Sequence, residues 1–473
     1  MINGGALGSQ VGVAFVDSIS QASLWTGSGS SWVSLNPQGA QYSTAFGSSS
    51  GQQVGYASIS DSWHASLWTG TAASWVDLNP FPGEYSVANA TDNNQQVGYA
   101  RHNSAERACV WSGTAASWVD LSSGSAFSEA YTVKNGVQGG HEDFLACIWR
   151  GTAASKVALS PPGDDGSAVR GIGGDQQVGY VRVGGRVRAS LWRGTAESWV
   201  DLSPLDSIES VAYDATKGQQ VGYSDVASGA CLWAGTPGSH VSLQAYLPSN
   251  YHNSRATSIV CDGIKTVIGG WAYNSNAGRE EAILWIADDF DLTLNKTAVA
   301  GQNSVLGTVS IGEPKPTNTT FSMSDNSSLV LTPSSVTVQA GQLSKSFQVA
   351  TTAIISTVVT TIYAKLGKMT RPQTLTLIPL VPTALSFTPT QVSSGQPTIC
   401  RVVINGVAGP GGRTLSISDN SIYSTVPSTI IVPAGASSVS FPITTTTVSQ
   451  AVTVRVTARV SAGEKTGTFR IVP

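Results

Sequence analysis

"HASLWTGTAASWVDLNP" (64–80) returns almost unchanged as "RACVWSGTAASWVDLSS" (107–123) and again as "RASLWRGTAESWVDLSP" (188–204). A chain that copies itself this closely copies either a structural unit or a binding site. Counting outward on Leu-Trp or its near equivalents gives seven copies, at Trp25, Trp68, Trp111, Trp149, Trp192, Trp233 and Trp285, with spacings of 43, 43, 38, 43, 41 and 52. A "QVG" stands shortly before the Trp in the regular copies, as at Gln53, Gln96 and Gln220. A "WVDL"-like segment follows it, clearest at Trp75, Trp118 and Trp199 and degenerate at Lys156 and His240.

Within the second copy four β-like runs can be marked: "YSTAFGS" (42–48), "QQVGYAS" (52–58), "HASLWTG" (64–70) and "SWVDLNP" (74–80), separated by Gly, Ser and Asn. Four strands in about 43 residues, repeated several times, are the signature of a β-propeller. One such sheet cannot bury both faces alone, so neighbours must stack and the ring must close. The expectation is therefore an all-β chain with a seven-bladed propeller over residues 1–290. Burying one indole removes on the order of 200 Å² from water, worth up to about 5 kcal/mol. The recurrent tryptophans are thus expected as packing between blades, and the repeated sentence as a folding unit.

The wording "QQVGY … HASLW … WVDL" resembles the HAF-type extracellular repeats of bacteria, whose unit reads approximately Gln-Val-Val-Gly, His-Ala-Phe-Leu-Trp, Asp-Leu-Gly. The match covers residues 1 to about 290 and departs in having Ser or Cys where that pattern has Phe. The resemblance implies an exported propeller and carries no catalytic residues. The first segment, "MINGGALGSQVG", shows no basic region followed by an apolar stretch and opens in the middle of a repeat, so either an export signal removed from this chain or a trimmed N-terminus is expected. "MINGGALGS" is also a poor strand, so the innermost strand of the first copy is expected to be weak or supplied by another subunit.

After "DDFDLTLN" the composition shifts to Thr, Ser and Val, and a second period of 94 residues begins. "SMSDNS" (322–327) returns as "SISDNS" (416–421), and the "AG", "SF" and "TT" pairs at 340, 346 and 351 return at 434, 440 and 445. Alternating runs such as "SVTVQAG" and "AVTVRVTARV" read as strands with one buried face. Two immunoglobulin-like sandwiches are expected, over 291–380 and 381–473, in a stiff row joined by "LIPLVPTAL".

Only 12% of the residues are charged and the net charge is -3, which gives no attraction for nucleic acid or anionic membrane. No apolar run is long enough to span a bilayer. Cys109, Cys147 and Cys231 share one repeat position, filled by Ser in other copies, and are expected as buried free thiols. Cys261 and Cys400 fall in different domains, so no disulfide is expected. The five histidines lack ligand spacing, and no cofactor is indicated. Asp288, Asp289 and Asp291, and the pair Asp164 and Asp165, are weak calcium candidates.

Function is sought where the copies differ. The segments between the second and third runs vary ("SISDSWH", "RHNSAER", "RVGGRVR", "DVASG", "YNSNAGRE") and place Trp63, His64, His102, Arg107, Arg186 and Arg188 on one face as tentative ligand-binding residues. Trp63 is the one Trp outside the repeat positions, since Trp271 replaces the Tyr of "VGY". The leading expectation is a non-enzymatic extracellular or cell-surface protein, adhesive or structural, with protein partners or self-association as a fibre or surface layer. A carbohydrate-binding lectin is the alternative. A polysaccharide hydrolase or lyase, which needs convergent carboxylates, comes third.

Overall fold

The computed structural model describes residues 2–6, 8–226 and 229–473, and among them there is no α-helix. The chain divides into two units. The first comprises residues 1–290 with two short segments, 311–313 and 368–372, and the second holds the rest.

The first unit contains seven antiparallel sheets in chain order, six of four strands and a last one of three. The second copy is typical: Ser43–Ser49, Gln52–Ile59, Ser62–Trp68 and Val76–Asp77 pair in sequence. The fourth strand is only two residues long and follows a 3-10 turn, Ala72–Ser74. The seventh sheet is built from Tyr251–Cys261, Lys265–Asn274 and Arg279–Asp288. The first begins at Ile2–Ala6, which pairs with Ser9–Val16. In this chain the first strand of the first sheet is thus its own segment Ile2–Ala6.

Each recurrent letter has a physical task. The Gln of "QVG" accepts the backbone N–H of the Gly after the third strand, as Gln53 Oε1 does from Gly70 at 2.7 Å and Gln96 Oε1 from Gly113 at 2.7 Å. The Gly of "QVG" faces a bulge in the first strand: a Cβ on Gly55 would sit 1.9 Å from the Thr44 carbonyl oxygen. No other residue fits so close a backbone approach. Ser66 Oγ accepts the Trp75 indole N–H at 2.8 Å, tying the short fourth strand to the third.

Tryptophans of the third strands pack on the preceding sheet. Trp68 lies against Leu24 and Leu35, Trp111 against Leu67 and Leu78, and Trp192 against Ile148 and Leu159. Trp68, Trp111, Trp149, Trp192 and Trp233 are fully buried, and their Nε1–H groups have no hydrogen-bond partner among the described residues. Their contribution is apolar area and close contact rather than polar bonding.

Two β-sandwiches make up the second unit for the most part. In the later one, Pro382–Thr388, Thr398–Ile404, Ser438–Thr445 and Ser424–Thr425 form one sheet. Gln391–Ser393, Gly463–Val472, Val452–Val460, Arg413–Asp419 and Thr429–Val432 form the other. The earlier sandwich has the same strand order, and its register repeats at the 94-residue step: Ser322 faces Lys365 as Ser416 faces Arg459. Alternation does the sorting. Val454, Val456 and Ala458 point inward with Leu415, Phe441 and Phe469, while Arg455 and Arg459 point out.

Candidate functional site

The first strands of all seven sheets line one cavity of about 870 Å³. Their bulges aim one extra residue each toward it: Asn3, Phe46, Asn89, Tyr131, Arg170, Tyr213 and Thr257. A bulge re-aims a side chain out of the pleat, which is why this position escapes the repeat's core constraint. Here the copies differ in chemistry while the backbone stays the same. From this layer the lining runs to the turns between first and second strands, at Ser50, Gly51 and Gly174, so the cavity reaches that face. Its walls are rich in hydroxyls and backbone: Ser9, Ser48, Ser49, Thr91, Thr132, Thr216 and Ser258.

Charges in the lining balance. Lys134 Nζ donates to Asp92 Oδ1 at 2.9 Å, and Asp92 Oδ2 also accepts the Asn135 N–H at 2.9 Å. Asp214 accepts the N–H of Ala215 at 2.8 Å and of Ile259 at 2.9 Å; burial nevertheless pushes its carboxyl up to about 6. Arg170 stacks its guanidinium 3.8 Å from the centre of the Tyr131 ring and 5.7 Å from that of Tyr180. Its Nε is buried without a partner, and among the described residues no hydrogen bond or ion pair holds the guanidinium. Tyr131 is hydrogen-bonded to Glu129, whose carboxyl is raised by burial. His141, 3.3 Å from the Tyr131 hydroxyl, is held down to about 4 by burial and then by the Arg170 charge.

The residues singled out from sequence sit elsewhere, and on strands rather than loops. The connections there are two-residue turns with positive φ at both positions, such as Ser60–Asp61 and Asn103–Ser104. This turn type matches strand twist and lets the flanking strands run to the end. Of "DVASG", residues 227 and 228 lie outside the described residues. His64, Arg107 and Arg188 occupy one register position and bond the fourth-strand Asp of their own sheet: His64–Asp77 at 2.7 Å, Arg107–Asp120 at 3.2 Å and Arg188–Asp201 at 3.4 Å. They are a repeated clasp within sheets, and the structure does not bring them together. His102 stacks on Phe81 at 4.0 Å, and Arg186 reaches the Ser207 carbonyl at 3.5 Å. Trp63, 40% exposed, donates to the Tyr42 hydroxyl at 2.9 Å and packs on Tyr56 and Tyr85.

Three of the five acidic candidates for calcium have other partners. Asp288 pairs with Lys265, and buried Asp289 with Lys217 and Arg371. Asp164 caps its own turn through Gly166 N and Ser167 Oγ. Among the described residues no group of three or more His, Cys, Asp or Glu could hold a metal ion. Five cysteines are free; Cys109, Cys147 and Cys231 are buried at their shared position, where burial raises each thiol. No helix among the described residues is long and apolar enough to cross a membrane.

The cavity layer was missed because its signal is variation at one repeat position, three residues after the first-strand Ser (Ser43, Ser86, Ser128, Ser167, Ser210). Aligning the copies on that Ser would have found it.

No protein-family model and no curated protein matches the chain. Among solved structures it is similar to the Yersinia pseudotuberculosis adhesin InvE, at 13% identity and a TM-score of 0.21 over 38% of this chain and 58% of that one. It is similar to a chaperone–tip adhesin complex of CFA/I fimbriae at 15% identity and a TM-score of 0.17, over 39% of this chain and 99% of that one. The titin domains A168–A169 match at 11% and 0.17, over 39% and 97%. The chain thus spans little more than half of the first of these proteins, and all three scores lie far below those of chains that share a fold.

Proposed function

We propose that the seven sheets are the blades of a closed seven-bladed β-propeller of the HAF-like repeat type, followed by two immunoglobulin-like modules. The chain then acts as a non-enzymatic extracellular surface protein that adheres or assembles through protein contact. Closure is supported by the shared cavity and by Thr257 Oγ1 of the last sheet, which donates to the Ile2 carbonyl of the first at 3.2 Å.

One observation carries the functional reading. In an up-and-down sheet, the turn between strands two and three and the exit from strand four lie on the same edge. That edge bears the exposed apolar side chains Phe15, Phe144, Leu205, Ile208 and Val226. The opposite edge of sheets two to six turns through polar residues and glycine: Ser50–Gly51, Asn93–Asn94, Asn135–Gly136, Gly174–Asp175 and Lys217–Gly218. Exposed apolar side chains also occur elsewhere, as at Ile264, Val76, Val119 and Val157, but this edge carries five that are each more than half exposed, and such a cluster marks a protein contact. Cryo-electron microscopy of native material tests this: assemblies that dissociate in a Phe15→Asp/Leu205→Asp variant are expected. Dispersed monomers alone would remove the assembly.

Glycan binding on the same face is the second reading, favoured by half-exposed Trp63 among Tyr42, Tyr56 and Tyr85. Its test is glycan retention by Trp63→Ala. A hydrolase is disfavoured because the two lining carboxylates, Asp92 and Asp214, belong to sheets three apart, and Asp92 is bound to Lys134.

A further inference from the structure

We propose that the cavity lined by the first strands is a binding site for a carboxylate-bearing saccharide, with Arg170 as the carboxylate ligand. The inference rests on the closed ring proposed above and is independent of assembly through the outer face.

The argument begins with what Arg170 lacks. A guanidinium carries five N–H donors, and a protein normally engages them. Here the ring of Tyr131 supports the cation from 3.8 Å, which fixes its plane but uses none of its donors. The other lining cation, Lys134, already has a carboxylate in Asp92. Arg170 feels the nearby Glu129 through its charge but is hydrogen-bonded to no carboxylate among the described residues, so it is the lining cation whose donors remain to meet an anion, and its planar fork suits a carboxylate.

The rest of the lining selects a sugar over a simple acid. Phe46, Tyr131 and Tyr213 share the bulge layer with Arg170, and the Tyr131 ring lies against the charge, so aromatic surface is available in the same layer. Serine and threonine hydroxyls and glycine backbone line the walls between that layer and the opening, where they can exchange hydrogen bonds with a polyol. The volume, about 870 Å³, falls within the range of ordinary ligand sites. A uronic-acid unit on Arg170 with neutral hydroxyl-bearing units toward the opening matches both halves.

Isothermal titration of the full chain with tri-galacturonate, with the neutral galactose trimer and with citrate tests this. Tri-galacturonate is expected to bind, and each of the other two to bind about tenfold more weakly or worse, the scale of one charge-assisted bond. Arg170→Gln should weaken tri-galacturonate about tenfold while leaving the neutral trimer unchanged, and Arg170→Lys should recover part of the loss. Equal binding of both trimers by the wild-type chain, or none of either, overturns the proposal even if the variants fail to fold. Citrate binding as tightly as tri-galacturonate overturns the saccharide part. Failure of the closed ring would show separately, as an open arrangement of sheets in an image of the chain.

Discussion

The backbone N–H of Ala65 donates to Ser86 Oγ at 3.0 Å, from the third strand of one sheet to the first strand of the next. The same bond recurs from Ala22 to Ser43, Ala108 to Ser128, Ala146 to Ser167, Ala189 to Ser210 and Ala230 to Ser254, at 2.7–2.9 Å. Ser86 passes the bond on to Asn79 Oδ1 at 2.8 Å. Ser86→Ala therefore leaves a buried N–H and an amide oxygen unmatched, which costs about 1–3 kcal/mol. Urea unfolding should show a lower midpoint at an unchanged slope. A midpoint equal to wild type would mean the bond between sheets contributes nothing.

Gly98 should tolerate no side chain at all. A Cβ there would lie 1.9 Å from the Val87 carbonyl oxygen, across a bulge that also delivers Asn89 to the cavity. Gly98→Ala must flatten the bulge or part the strands, a loss of about 3 kcal/mol or more. Gly113→Ala is the contrast: its position has φ +83 and open space, so only the backbone penalty, about 1–2 kcal/mol, applies. Thermal melts of the two variants should differ in that order.

Two buried groups should give opposite pH slopes. The Asp214 carboxyl is raised to about 6 from 3.8, first by burial. Between those values the folded chain binds more protons than the unfolded chain, so stability falls as pH rises from about 4 to 6. His141 is lowered to about 4 from 6.5, again first by burial. There the unfolded chain binds more protons, so stability rises from about pH 4 to 6.5. The wild-type curve partly cancels. Asp214→Asn should steepen the rise with pH, and His141→Gln should expose the fall; parallel curves for all three proteins would sink both assignments.

The strands of the repeat were legible because each letter of "QVG", "LW" and "WVDL" does the same backbone or packing job in nearly every sheet. The 94-residue step was legible for the same reason, since alternation in "AVTVRVTARV" encodes one buried face. The placement of Trp63 and His64 was not. Their segment looks like a loop from composition, yet Ser60–Asp61 forms a two-residue turn and the strands run on to meet it. Arg170 was missed for a different reason: a bulge adds a residue without altering strand spacing, so its inward aim shows in the register between Val169 and Gly171 and leaves in the sequence only variation at one repeat position.

The sixth sheet offers a test of the repeat as a folding unit. Where three copies pair a serine with a tryptophan, as Ser66 with Trp75, this one pairs Cys231 Sγ with His240 Nε2 at 3.0 Å. Burial holds the imidazole below its ordinary range, so as pH falls below that ordinary value protonation opposes folding here. His240→Trp restores the large apolar surface of the other copies and removes the titrating group. Cys231→Ser then returns the hydroxyl acceptor for the indole N–H. Because the neighbouring backbone already has the geometry that holds Trp75, Trp118 and Trp199, no rearrangement is needed. The double variant should gain about 1 kcal/mol at pH 7, the usual scale of a consensus replacement. The gain should grow at pH 5, where the wild type carries the cost of its histidine. A double variant less stable than wild type at both pH values would mean that the sheets have diverged and no longer exchange parts.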